Sequence, residues 1–279
     1  MAYKNILAAV NEFSNSEIAA RYAITLAKSS EAKLFLVFVA EENIDKDRLR
    51  HAEAALERLF IEAEENSVEV ESIIKSGEPA EKIQEIVNEH DIDIVFTATR
   101  RQDVKARFFV KTLSRQLMIK LPCAVAMVRV VKMGGTHLKN ILVPLRGKTA
   151  GLKEKAYFAA KLAEGMGSGV TLLHTRKPAK KFFHGEVRLK PVERDIHIPQ
   201  DIKEFSEYLY KYKIPVEKKI EYGGVARSIT VEAAFRKNDL IVMGASEKSL
   251  LSSIARDNPV EHVLRDTPCN LIIFRGKKS

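Results

Sequence analysis

Seven histidines and two cysteines are the side chains here best suited to metal or acid–base chemistry, and their spacing supports neither. His184 and His197 fall in one polar stretch without a second ligand pair, so they read as solvated side chains. Cys123 and Cys269 each follow a proline at the start of an apolar run, places where buried, reduced thiols are expected in a cytosolic chain. Gly165-Met166-Gly167-Ser168-Gly169 has a Gly-x-Gly core, but it stands between a helical pattern and the next strand. A dinucleotide fingerprint needs the strand first, so this segment reads as a helix C-cap and turn. Gly147-Lys148-Thr149 looks like the tail of a phosphate loop, yet the upstream glycine is missing and Arg146 stands at its entrance. No Gly-x-Ser-x-Gly elbow and no nucleophile–base pair occurs, so no enzyme is expected.

The strongest signal is repetition. Lys4-Asn5-Ile6-Leu7-Ala8-Ala9-Val10 returns as Lys139-Asn140-Ile141-Leu142-Val143-Pro144-Leu145, and Asp93-Ile94-Val95-Phe96 as Asp239-Leu240-Ile241-Val242. Pro122-Cys123-Ala124-Val125 returns as Pro268-Cys269-Asn270-Leu271. The first pair is offset by 135 residues and the others by 146, so the second copy carries 11 more between its first strand and Asp239. A period this long means two whole domains of one fold.

Within each copy the pattern alternates. Residues 4–10 form an apolar strand, and Ile18, Ala19, Tyr22, Ala23, Leu26 and Ala27 mark one face of a helix. Lys33–Val39 is a continuous apolar run, as expected of a strand buried on both faces of a parallel sheet. A long helix over 45–65, a strand over 68–74, a helix from Pro79, a strand over 93–98, a helix near 110–120 and a strand over 124–130 complete the unit. Met133-Gly134-Gly135-Thr136 reads as a linker. The second copy then gives helix 153–162, strand 170–174, helix 202–210, strand 216–221, helix 229–235, strand 240–244, helix 259–264 and strand 271–274. This order predicts an α/β fold in which each unit is an open, mostly parallel five-stranded sheet with helices on both faces.

Hydrophobic content of 46 % with 30 % charge belongs to a globular chain, and no apolar run approaches the roughly 20 residues of a membrane span. The start of the chain shows no basic-then-apolar signal pattern, so a cytoplasmic protein is expected. Net charge is −2 over residues 1–135 and +11 over 136–279. With no nucleic-acid motif beside it, the basic half reads as a solvated surface. Much of the extra length falls in a basic loop, 175–200, where Lys177, Lys180 and Lys181 flank Phe182 and Phe183. That cluster either anchors the loop over the core or docks an anionic partner.

Asp239–Ser246 followed by Val260–Cys269 closely resembles the universal stress protein family, as do Asn140–Val143 and Gly77–Ile83. The resemblance covers nearly the whole chain, omitting the linker near 132–137 and the loop 175–200. It implies a tandem member with two Rossmann-like domains, 1–132 and 138–279. The second unit also resembles cytoplasmic stress-protein domains attached to membrane transporters. ATP-binding members carry an acidic residue at the end of the first strand and Gly-x2-Gly-x9-Gly-(Ser/Thr) after the fourth. Here those positions are Asn11, Ala98, Arg101, Lys111 and Thr112 in the first unit, and Arg146, Gly244, Glu247, Asp257 and Asn258 in the second. The spacing is kept, so these are replacements. Side chains stand where close approach to phosphate needs bare backbone, and Glu247 and Asp257 would repel a triphosphate. Arg101 and Lys111 either draw an anion through their side chains or face solvent.

The resemblance implies a non-catalytic, regulatory stress-response role with the ATP motif degenerate in both domains. The alternative is a nucleotide sensor holding ATP or AMP in the first-domain pocket. No cofactor is expected outside that alternative, and no metal. The final strands, 124–130 and 270–275, are expected to pair the two domains internally. A C2 homodimer and a protein partner stay open, while nucleic acid and a membrane span are not expected.

Overall fold

The repeated Lys-Asn and Asp signatures are structural staples. Asp93 Oδ2 accepts the backbone N–H groups of Lys4 at 2.6 Å and Asn5 at 3.1 Å, and Asp239 Oδ2 accepts those of Lys139 at 2.9 Å and Asn140 at 3.3 Å. Each aspartate thus ties the start of its unit's first strand to the start of the fourth. The computed structural model describes residues 2–42, 44–99, 112–133, 139–145, 151–176, 198–245 and 258–278.

In the first unit these are β1 (Asn5–Val10), α1 (Ser14–Ser30), β2 (Lys33–Ala40), α2 (Lys46–Glu65), β3 (Val70–Ser76), α3 (Pro79–Glu89), β4 (Ile94–Thr99), α4 (Leu113–Lys120) and β5 (Ala124–Arg129). The second unit has β6 (Asn140–Leu145), α5 (Leu152–Met166), β7 (Gly169–Arg176), α6 (Gln200–Lys211), β8 (Val216–Tyr222), α7 (Val225–Phe235), β9 (Leu240–Gly244), α8 (Pro259–Asp266) and β10 (Asn270–Arg275). The ten strands form one sheet in the order β3-β2-β1-β4-β5-β10-β9-β6-β7-β8. Pairing is parallel within each unit and antiparallel only where β5 meets β10, so the expected internal pairing of the last strands is what joins the two halves.

The sheet is buried on both sides. One apolar layer lies beneath α1, α2, α5 and α6, and a second beneath α3, α4, α7 and α8. Central strands therefore carry side chains that face a core in either direction, which is why β2 and β5 read as unbroken apolar runs. The Gly165–Gly169 segment is the expected helix stop: Gly167 has φ of 63° and the Ser168 N–H returns to the Ala163 carbonyl at 2.9 Å. Of the boundaries that differ from the pattern, two have a visible cause. β3 begins at Val70 because the Val68 N–H closes α2 onto the Ala63 carbonyl. The seventh helix begins at Val225, immediately after Gly223 turns the chain with φ of 155°.

Candidate functional site

In each unit the chain winds outward from the first strand in one direction and then crosses to the other side, which leaves a switch point between β1 and β4 and another between β6 and β9. Such points open a crevice outside the carboxyl ends of the strands. β1 and β4 pair through Ile6↔Ile94, Leu7↔Val95 and Ala8↔Phe96, and the strands then part around a cleft of about 440 Å³. Its apolar floor includes Ala9, Val37, Ile83 and Ala98. Asn11 and Thr112 stand on its wall, so the three described first-unit motif positions come together on this one cleft.

The polar wall is locally built. Asn11 Oδ1 accepts the Phe13 N–H at 3.0 Å, and Ser16 Oγ accepts the Asn11 N–H at 3.0 Å. The Ser16 hydroxyl is turned onto the carbonyls of Asn11 and Phe13. Thr112 is the N-cap of α4, and its Oγ1 lies 3.4 Å from Ser114 Oγ. Three carboxylates, Glu12, Glu41 and Glu78, also line the cleft, with Arg48 as the cation among the described lining residues. Arg48 is already engaged, its Nη2 lying 2.6 Å from Glu12. These rim charges come from the loops after β1, β2 and β3 and from α2.

The second switch point differs. β6 and β9 pair only through Ile141↔Leu240 and Leu142↔Ile241. Pro144, which has no N–H to donate, follows at the place of Ala9. Lys155 on α5 reaches this seam, 5 % exposed, and its Nζ donates to the Pro144 carbonyl at 2.9 Å. A Cβ built on Gly244 would already touch Lys155 Cδ at 3.4 Å and Nζ at 3.5 Å. The strand registers and the helix caps at Glu31 and Gly167 set the offset between α1 and α5 at 136, so Lys155 stands where the first copy has Ala19. Burial lowers the Lys155 ammonium to about 7, with the nearby Asp201 carboxylate pulling the other way. Asp201, itself buried, holds His174 Nδ1 at 3.2 Å. Lys155 thus occupies the second seam.

Of the second-unit motif positions, Gly244 ends β9 against Lys155, and Asn258 caps α8 by accepting the Val260 N–H at 3.0 Å. Arg101, Lys111, Arg146, Glu247 and Asp257 lie outside the described residues, as do Lys177, Lys180, Lys181, Phe182, Phe183, His184 and His197. Sequence reasoning missed Lys155, Asp201 and the glutamate rim. The available signal was a lysine at a helix position whose counterpart in the other copy is an apolar-face alanine. Both cysteines are free and buried, with burial the main cause that pushes Cys123 up to about 12 and Cys269 to about 11. Among the described residues no cluster suited to a metal occurs, and no helix is long and apolar enough to cross a membrane.

The family model described as "Universal stress protein family" matches the chain twice, over residues 2–129 and 137–275. No curated protein matches it. Among solved structures, a universal stress protein from Archaeoglobus fulgidus DSM 4304 is 15 % identical, covering 99 % of this chain and 98 % of its own, with a TM-score of 0.65. A functionally unknown protein from Pseudomonas aeruginosa PAO1 is 15 % identical over 99 % of this chain and 94 % of its own, with a TM-score of 0.63. The cytoplasmic domain of a prokaryotic cation chloride cotransporter is 11 % identical over 99 % and 96 %, with a TM-score of 0.60. At these identities the structural likeness concerns the fold.

Proposed function

The chain belongs to the universal stress protein family, and from that premise we propose that it is a non-catalytic regulatory protein that takes one adenosine-class ligand, in its first unit. The contrast between two equivalent places carries this reading. At the β1/β4 switch point Ala9 and Ala98 line a cleft of about 440 Å³, whereas at β6/β9 the buried Lys155 lies against their counterparts Pro144 and Gly244. Among the described residues the first cleft is lined by no histidine or cysteine, and its Ser16 hydroxyl is committed to backbone, which supports the non-catalytic reading.

The rim favours the nucleoside portion over a polyphosphate. Glu12, Glu41 and Glu78 oppose added negative charge, and Arg48 already pairs with Glu12. AMP or adenosine therefore binds at least as well as ATP. Titration calorimetry of the full chain with adenosine, AMP and ATP tests this. The expected result is one site per chain, lost on Ala98→Trp and kept on Lys155→Met. Two sites per chain, ATP bound more than tenfold tighter than adenosine, or no heat from any of the three would overturn the reading.

A further inference from the structure

The contact between the two units contains three places where a residue meets its own counterpart from the other copy. In the β5–β10 register Ile273 faces Met127, with Leu271 opposite Arg129 and Arg275 opposite Val125. Met127 and Ile273 are separated by the same 146 residues as Pro122 and Pro268, so an approximate two-fold axis crosses the sheet at this pair. On one face the axis emerges between α4 and α8, where Arg115 and Glu261, again 146 apart, meet at 2.7 Å with Arg115 only 1 % exposed. On the other face it emerges between α1 and α5. The helix offset of 136 makes Ser29 the counterpart of Gly165, and a Cβ built on Gly165 would stand 3.4 Å from Ser29 Cβ. That same Cβ would lie 2.7 Å from both Cγ2 and the carbonyl oxygen of Thr25.

On a true two-fold, each of these positions would face an identical residue. We infer that this contact surface is built to accept only an unlike unit, with Arg115, Glu261 and Gly165 as the residues that select the partner. Pairing the first unit with another first unit buries two guanidinium groups together and puts Ser29 Cβ where the Thr25 backbone already stands. A pair of second units brings two part-buried carboxylates together. The unlike pair alone matches opposite charges at the 115/261 position and has room on the other face. Asn270 adds a contact that exists in one direction only. Its Oδ1 accepts the N–H groups of Val131 at 2.8 Å and Lys132 at 2.9 Å, and its Nδ2 donates to Tyr22 at 2.9 Å, whereas its counterpart is Ala124. The partner that fits is a unit with glutamate at the place of 261, glycine at 165 and asparagine at 270, which this chain carries in its own second half. Second copies of the first unit are excluded by both charge and space.

Two measurements test this, one on the intact chain and one on its two halves refolded together. In the intact protein, Arg115→Glu lowers the melting temperature by roughly 6–12 °C, and adding Glu261→Arg restores most of that loss. A reversed pair that recovers nothing overturns the assignment. For partner choice, a protease site placed within 134–138 is cut in the folded protein, the two pieces are unfolded and refolded together, and native mass spectrometry counts the pairings. Unlike pairs alone are expected. With Arg115→Met and Glu261→Met together, pairs of second units appear, while pairs of first units stay absent until Ser29→Gly is added. A statistical mixture of all three pairings from the unaltered sequence refutes the inference.

Discussion

Lys155→Met isolates the cost of placing an ammonium at the second seam. The free side chain titrates at 10.5 and the buried one at about 7. Below pH 7 the lysine is protonated both folded and unfolded, and the fold bears the whole desolvation cost. Above 10.5 it is neutral in both states. Between these limits the unfolded chain binds more protons, so stability climbs with pH by about 1.4 kcal/mol per pH unit, about 5 kcal/mol in all. Methionine removes that slope and leaves the Pro144 carbonyl without its donor, a pH-independent loss of about 1–3 kcal/mol. Urea denaturation of both proteins from pH 6 to 9.5 separates the terms, since titrating groups not coupled to Lys155 cancel in the difference. The wild-type stability minus that of the variant should be flat below pH 7 and rise by about 3 kcal/mol by pH 9.5. A difference that stays level across the range would mean that the ammonium is solvated or fully paired, and the account of the filled seam would fail with it.

Three further outcomes follow from the same contacts. Asn270→Ala costs about 2–4 kcal/mol in urea denaturation, because it strips donors and acceptors from Val131, Lys132 and Tyr22 across the unit boundary; a loss under about 0.5 kcal/mol would show that water replaces them. Phe274→Ala costs about 3–5 kcal/mol, since its ring stacks on Phe158 at 4.6 Å where β10 packs under α5, and calorimetric unfolding measures it. Cys123 and Cys269, with burial pushing them up to about 12 and about 11, should react with a thiol reagent at pH 8 only as fast as the protein opens; rapid labelling of the native protein contradicts their burial.

What the sequence made legible, and what it hid, divides along physical lines. The strands β2 and β5 declared themselves because burial on both faces leaves no polar residue in the run. The Asp93 and Asp239 staples were visible as repeated letters, although their bonds to Lys4 and Lys139 span 89 and 100 residues. Asn11, Ala98 and Thr112 could be placed because they hang on strand ends and a helix cap, where spacing along the chain survives folding. The glutamate rim could not. Glu12, Glu41 and Glu78 follow three different strands, and only the order β3-β2-β1-β4 brings those loops to one mouth. Lys155 was hidden for another reason: on a helix, one lysine among charged neighbours looks solvated until the packing of α5 on the sheet turns it inward.

The duplication carries information that neither copy holds alone. Where the copies agree, as at the two aspartates, the shared residue serves the fold of a single unit. Positions on the two-fold axis obey a different logic, because there a residue touches its counterpart and a change in one copy is felt by the other. Arg115 opposite Glu261 and Ser29 opposite Gly165 are therefore meaningful as differences. Two identical units would be free to pair with any copy of themselves, and each would present the same switch point. Divergence at the axis removes that freedom and holds an open β1/β4 cleft against a β6/β9 seam occupied by Lys155. The two places are joined through the sheet: β4 pairs with β5, β5 with β10 and β10 with β9, a continuous ladder from the cleft wall to the strand that ends at Gly244.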